Sequence, residues 1–179
     1  VEHIEGIEAK LLSYRRLARL YAQQLKLIPQ AEEVLRKILA IRTADLAALD
    51  DLFLLAGAEE RFDKQVTVLE TKLRHVSDDA EKKLLLFQIA ELWEKNIGEL
   101  EEAMTAYNRI LALDDKDLIA LEHLARGYHS QQKWHELSRV LTRKVELSDN
   151  PAEQVTLRLR VGALCESELS DPVSASEWY

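Results

Sequence analysis

The sequence has few of the residues that break helices and few of those that favour sheets. Its 179 residues include 5 Gly and 3 Pro, and aromatic residues make up 6% of the chain. This scarcity, together with many Leu, Ala, Glu, Lys and Arg, favours helices throughout. The hydrophobic fraction of 47% is typical of a globular chain. The composition therefore predicts an all-α fold.

Disulfides and membrane-spanning runs are also missing from the sequence. The single cysteine, Cys165, excludes an internal disulfide, and a chain without disulfides is not tied to one compartment. Localisation thus stays open, with the cytoplasm slightly favoured. Apolar runs such as 84–87 are far shorter than the roughly 20 residues that span a bilayer. Because the sequence opens on Val1 without a signal segment, we expect the natural start to have been removed or to lie upstream.

The formal net charge of −8 disfavours nucleic acid as a partner. Contacts to phosphate depend on clustered Lys and Arg. A helical-repeat RNA reader would need a basic stripe in each repeat, and the sequence does not contain one. Solubility is the simplest explanation of the acidic balance.

The sequence matches itself when it is shifted by 72 residues. Residues 45–107 then align with 117–179 without a gap, with about 15 identities in 63 pairs. Lys72, for example, falls on Lys144. A fixed period of this kind indicates a repeat array.

Each 72-residue period contains two pairs of helices. The first helix of each pair carries apolar residues at positions i, i+3, i+4 and i+7, which is typical of an amphipathic helix. We expect the small residues of this stripe, Ala18, Ala90 and Ala125, to be buried where helices approach closely. The predicted helices are 8–25, 29–42, 45–58, 61–76, 80–96, 99–113, 117–131, 133–147, 151–168 and from 172 onward.

Large, small and aromatic residues at these offsets, in units of about 34 to 38 residues, resemble tetratricopeptide (TPR) repeats. The third pair fits the pattern best, with Leu86, Ile89, Ala90, Trp93, Ala103 and Tyr107. One extra residue lies between its helices, at the turn around Gly98. The resemblance implies a right-handed α-solenoid of antiparallel helix pairs over residues 1–179, similar to a segment of a long bacterial TPR array. The predicted repeats are 8–43, 44–79, 80–116, 117–150 and an incomplete 151–179.

The second and fourth pairs depart from the TPR pattern. Gln65 and Leu137 replace a small residue of the second helix, and Lys72 and Lys144 replace the next one. Two interpretations of the lysines stay open. They are paired buried cations at a binding site, or their aliphatic stems cross the helix interface and leave the amine at the surface.

Candidate catalytic and metal-binding residues have simpler explanations. His123, His129 and His135 recur every six residues, which places them roughly 120° apart around a helix, and no further ligand set completes a metal shell. Acidic pairs at turns are interpreted as helix caps. Cys165 occupies a stripe position and is interpreted as a buried structural thiol. We predict no catalytic residues, no metal and no cofactor, and we predict that the chain is not an enzyme.

The TPR resemblance also implies where a partner binds. In this family the first helices line a concave face, and ligand contacts come from a second stripe beside the packing stripe. The matching positions here are Arg15, Arg19, Gln23, Asp50, Phe87, Glu91, Glu94, Glu122, Arg126 and His129. Leu54, Leu159, Ala163 and Glu166 belong to the same stripe. The Lys and Asn set that clamps a terminal carboxylate is missing, which disfavours a receptor for chaperone tails. The mixed charges suit an extended or helical segment of a protein.

The sequence thus predicts an interaction scaffold within a larger TPR protein, with a protein or peptide as its partner. The alternative is a regulatory or substrate-recruiting arm of an enzyme whose catalytic domain lies elsewhere. By the period, Tyr179 falls on Tyr107, in the middle of a second helix. We therefore expect the incomplete fifth repeat to fray or to self-associate.

Overall fold

The computed structural model describes the backbone of residues 2–179 and the side chains of residues 6–179. In this part, the chain contains ten α-helices, two π-helical segments and no β-strand, which confirms the predicted all-α class. The α-helices are α1 (Glu2–Arg19), α2 (Ile28–Ile41), α3 (Leu46–Ala58), α4 (Phe62–Leu73), α5 (Asp79–Glu91), α6 (Leu100–Leu113), α7 (Leu118–Ser130), α8 (Trp134–Leu147), α9 (Pro151–Ser167) and α10 (Pro172–Trp178). The π-helical segments, Leu20–Leu25 and Leu92–Ile97, continue α1 and α5.

The helices form two compact units, Val1–Gly98 and Glu99–Tyr179. In the first unit, each helix from α1 to α4 packs on the next along the chain, and in the second unit α6 to α9 do the same. Because the connections are short, neighbouring helices are antiparallel. The predicted repeat 80–116 has its first helix in one unit and its second helix in the other. The repeat bounds therefore remain a prediction.

Side-chain caps repeat with the 72-residue period. Asp45 and Asp117 begin α3 and α7, and Asp78 and Asn150 begin α5 and α9. Each of these side chains accepts a hydrogen bond from a backbone N–H two or three residues later. Such a bond satisfies one of the free amides at a helix start. The caps therefore determine where these four first helices begin.

Each first helix, including its π-helical extension where it has one, is followed within three residues by a residue with left-handed backbone angles. These residues are Lys26, Glu60, Gly98, Gln132 and Ser170, and successive ones lie 34, 38, 34 and 38 residues apart. Left-handed angles reverse the chain direction after a helix and are least costly for glycine. The repeat is therefore periodic in the backbone as well as in the side chains, with two lengths in alternation.

The extra residue near Gly98 lies inside a helix rather than in the turn after it. The segment Leu92–Ile97 is π-helical, and the N–H of Gly98 donates to the carbonyl of Trp93, five residues earlier, at 2.8 Å. A π-turn holds one more residue than an α-turn, so it absorbs an insertion without ending the helix. The segment Leu20–Leu25 does the same in the first pair and ends at Lys26. Trp93, which belongs to the TPR pattern of the third pair, is half-buried here.

The small stripe residues Ala18, Ala90 and Ala125 are all buried, as predicted. Large apolar side chains such as Leu35 and Leu141 fill the space beside them within each unit. This packing is what places the polar side of each first helix toward solvent.

The last helix, α10, packs against α9 in the second unit. Trp178 and the buried Ala175 of α10 contact the core of the second unit. Tyr179 is 66% exposed, but its ring lies against Gly162, where an added Cβ would be 2.9 Å from the nearest ring atom. The Tyr179 hydroxyl donates to Glu166 at 3.0 Å. These contacts hold α10 against α9; the predicted fraying and the predicted self-association both stay predictions.

Two glycine substitutions test the left-handed helix ends. Gly98→Ala is expected to destabilise the protein by about 1 kcal/mol, because an alanine at φ 88° is strained although nothing lies within 4 Å of the added Cβ. Gly6→Ala adds a methyl group with equally open surroundings inside α1, and should be neutral or stabilising. Urea unfolding of both variants gives the comparison. Equal effects would show that the left-handed angle is not what terminates the helix.

Candidate partner-binding site

A groove of about 400 Å³ lies in the unit Val1–Gly98, between α1 with its π-helical extension and α3. Three residues of the predicted stripe, Arg19, Gln23 and Leu54, line it. The small side chains of Ala22 and Ala58 leave the space between the two helices open. The other lining residues are Ala18, Lys26, Ile28, Leu35, Asp51, Leu55 and Glu59.

Three carboxylates lie at the N-cap and in the first half of α3, and they differ in whether they are paired. Asp45 is bound by the guanidinium of Arg15 at 2.6 Å, and Asp50 is bound by the ammonium of Lys72 at 2.9 Å. Asp51 is half-buried, and among residues 6–179 it makes no hydrogen bond or ion pair. Two of the three acids are thus neutralised within the chain, while the third faces the groove unpaired.

Burial raises the pKa of the Asp51 carboxyl above its usual range. The charge of Arg19 opposes this effect, and the negative charge of Asp50 adds to it. Arg19 is exposed on the opposite wall of the groove, and within the described side chains it forms no ion pair. Opposite charges therefore stand on the two walls without bonding to each other.

Both lysines at the irregular second-helix positions point to acids of the predicted stripe. Lys72 binds Asp50, and Lys144 binds Glu122, one period later. The lysine side chains are only 19% and 13% exposed, whereas the two carboxylates are 59% and 48% exposed. This supports the interpretation in which the aliphatic stem crosses the helix interface and the amine reaches the surface. Asp50 and Glu122 are therefore already ion-paired within the chain.

The stripe residues of α7 contact other side chains of α7 and side chains of α8. The hydrogen bond from Lys144 lowers the pKa of Glu122, and the charges of Arg160 and Arg126 add to this. Arg126 donates to His123 at 2.9 Å. His129 meets the ring of Trp134 edge-on, with centroids 5.7 Å apart.

A smaller groove of about 180 Å³ lies beside this edge-on pair, lined by residues of α7, α8 and α9. Its volume is less than half that of the groove between α1 and α3. Of the predicted stripe, His129 and Ala163 line it. This groove therefore offers less enclosed space for a partner than the groove between α1 and α3.

The remaining stripe residues do not line the larger groove. Phe87 and Glu94 are half-buried on α5 and its π-helical extension. Glu91 is exposed and binds Lys95 on the next helical turn at 2.6 Å. Arg15 is half-buried, and its bond to Asp45 ties α1 to α3. Within the unit Val1–Gly98, the structure thus brings Arg19, Gln23 and Leu54 to one groove, which the other stripe residues of that unit do not line.

Two features of the groove were missed by sequence reasoning. Asp51 lies next to the predicted Asp50 but falls outside the stripe, so the repeat pattern did not select it. The π-helical turn Leu20–Leu25 carries Ala22 and Gln23 into the groove wall. The related sequence signal was the extra residue of the third pair, which was predicted to lie in the turn around Gly98.

Within the described residues, no cluster of three or more His, Cys, Asp or Glu side chains is arranged to hold a metal ion. His123 instead stacks on Tyr107, with ring centroids 4.4 Å apart. In the same part of the chain, no helix combines the length and the hydropathy that crossing a bilayer requires.

Comparison with solved structures supports the repeat architecture. YrrB, described as a TPR protein with an unusual peptide-binding site, superposes with a TM-score of 0.50 and 14% identity over 99% of this chain and 87% of its own. The chain has a TPR-like repeat fold. Two further similar structures are MamA from Desulfovibrio magneticus RS-1 (TM-score 0.46, 15% identity, 94% and 90% coverage) and the type IV pilus biogenesis factor PilW (0.45, 17%, 94% and 74%). No protein-family model and no curated protein matches the sequence.

The raised pKa of Asp51 predicts a dependence of stability on pH. An acid whose pKa is higher in the folded state than in the unfolded state stabilises the fold fully below the unfolded pKa, and this stabilisation is lost as the pH rises through the folded pKa. Asp51→Asn should therefore increase the melting temperature more at pH 7 than at pH 3. Thermal unfolding at both pH values measures this difference. A larger increase at pH 3 would contradict the assigned burial of Asp51.

The lysine bridges predict a small ionic contribution and a larger packing contribution. Lys144→Met keeps the stem and removes the ion pair, so it should cost roughly 0.2–1 kcal/mol. Lys144→Ala also removes the packed stem and should cost more. Urea unfolding compares the two, with Lys37→Met as the control, because Lys37 pairs with Glu33 on an open helix face. Equal losses for the Met and Ala variants would show that the stem does not pack.

Proposed function

We propose that this chain is a protein-interaction scaffold that binds a peptide segment of its partner in the groove between α1 and α3. The observation that carries the proposal is this groove of about 400 Å³, which combines apolar lining with charged groups on both walls. Sites for peptides are typically concave, largely apolar and supplied with a few polar groups. The volume lies within the range of about 300–1,000 Å³ that is usual for ligand pockets.

The candidate residues support this location. Arg19, Gln23 and Leu54 come from the stripe that the TPR resemblance implies, and they line one continuous space. Leu54 is 66% exposed, so its apolar side chain is accessible to a segment bound in the groove. The peptide-binding site reported for YrrB, whose fold is similar, agrees with a peptide as partner. An enzyme's substrate-recruiting arm would use the groove in the same way.

Leu54→Glu tests the proposal. Peptides selected from a random linear library against the chain should lose about tenfold or more in affinity, because a charge replaces an apolar contact; tenfold corresponds to about 1.4 kcal/mol. Isothermal titration measures the affinities. Leu84→Glu is the matched control, since Leu84 is also 66% exposed but lies on α5, outside the groove.

The expected result is a loss for the Leu54 variant alone. Circular dichroism of both variants confirms that the helices are intact. If the selected peptides bind the Leu54 variant as tightly as the parent, or if the Leu84 variant loses as much affinity, the groove is not the binding site.

A further inference from the structure

We infer that the groove between α1 and α3 selects a linear segment in which an acidic and a basic residue are adjacent in sequence and an apolar residue adjoins them. This inference rests on the proposed function and specifies its partner. It follows from three observations: the sign of the charge on each wall, the apolar side chains between the walls, and the lack of bonds between the opposing charges.

The two walls carry opposite charges. Arg19 and Lys26 belong to the α1 side, while Asp51 and Glu59 belong to the α3 side. Glu59 is partly neutralised by Arg61 at 2.7 Å. Asp51, Arg19 and Lys26 make no ion pair among the side chains of residues 6–179. Three charges around the groove are therefore available to a ligand.

Asp51 gains most from a ligand cation. Its carboxylate is half-buried and next to the negative charge of Asp50, and its raised pKa reflects this surplus of negative charge and loss of water. A hydrogen bond from a lysine or arginine of a bound segment would replace the lost hydration and offset the repulsion. Arg19 opposes Asp51 without bonding to it, so it remains open to an acidic side chain.

Apolar side chains lie between the charged walls. Ile28 and Leu35 of α2, together with Leu54 and Leu55 of α3, line the same space. Since successive side chains of an extended segment point to opposite sides, neighbouring residues of such a segment reach both walls. An acidic residue then meets α1, a basic residue meets α3, and an apolar side chain fills the space between them.

The test measures how far the effect of a charged peptide residue on binding affinity depends on the groove residue that is inferred to face it. A selected peptide is made in three versions: unchanged, with its basic residue replaced by glutamine, and with its acidic residue replaced by glutamine. Each is titrated into the parent chain, Asp51→Asn, Arg19→Gln and the charge exchange Arg19→Asp/Asp51→Arg. Arg16→Gln and Glu91→Gln are controls, because they change net charge equally but lie outside the groove.

The expected result is that each charged peptide residue contributes to affinity only when its opposite charge in the groove is present. Loss of the basic residue should weaken binding to the parent about three- to tenfold and binding to Asp51→Asn less than twofold, as for a partly exposed ion pair. Loss of the acidic residue should show the same relation with Arg19→Gln. The charge exchange should prefer a peptide with the two charged residues interchanged, and this preference should weaken with added salt.

The outcomes separate the inference from the proposed function. If Leu54→Glu abolishes binding while the Asp51 and Arg19 variants keep the charge preferences of the parent, the groove binds peptides and the inferred selection is wrong. If the controls Arg16→Gln and Glu91→Gln shift the preferences equally, the selection comes from net charge and the inference is overturned. If binding is insensitive to Leu54→Glu, the proposed function itself fails.

Discussion

The close approach of helices at small side chains is the constraint on which the rest of the structure depends. Ala18, Ala90 and Ala125 are buried, and a larger side chain at any of them would move a neighbouring helix. This contact orients each first helix, with its apolar stripe toward the core and its polar stripe toward solvent. The candidate groove exists because the same preference for small residues continues at Ala22 and Ala58, where no large neighbour fills the space.

The way in which the first helices end also determines which residues line the candidate groove. The left-handed residues alternate at two spacings, and the first helices of the first and third pairs absorb an extra residue as a π-turn. In the first pair this turn rotates Ala22 and Gln23 into the groove wall and ends at Lys26, which contributes a charge there. An insertion that has little effect on packing thus has a direct effect on the candidate site. Single π-turns are often found at functional sites for this reason.

Charge pairing within the chain reduces the stripe to a few available groups. Asp50 and Glu122 are bound by lysines that cross from the second helices, and Arg15 is bound to Asp45. The two lysine pairs are partly exposed and add little stability, but all three pairs neutralise charges within the chain. Arg19 of the stripe makes no ion pair among the described side chains, nor does Asp51 on the opposite side of the groove. The selection that we infer for the groove follows from this contrast between paired and unpaired charges.

The sequence by itself determined the helices, their order and the buried stripe, because hydrophobic periodicity, capping residues and the 72-residue self-match are local or regularly repeated signals. It also placed Arg19, Gln23 and Leu54 among the candidates through the repeat pattern. Only the tertiary structure decided which candidates share a space, since Lys72 and Lys144 reach their acids across helix interfaces and Asp51 is left unpaired by contacts distant in sequence. It likewise decided that the extra residue forms a π-turn, because the same insertion could have lengthened a loop, and the packing of α1 on its neighbours selects between the two.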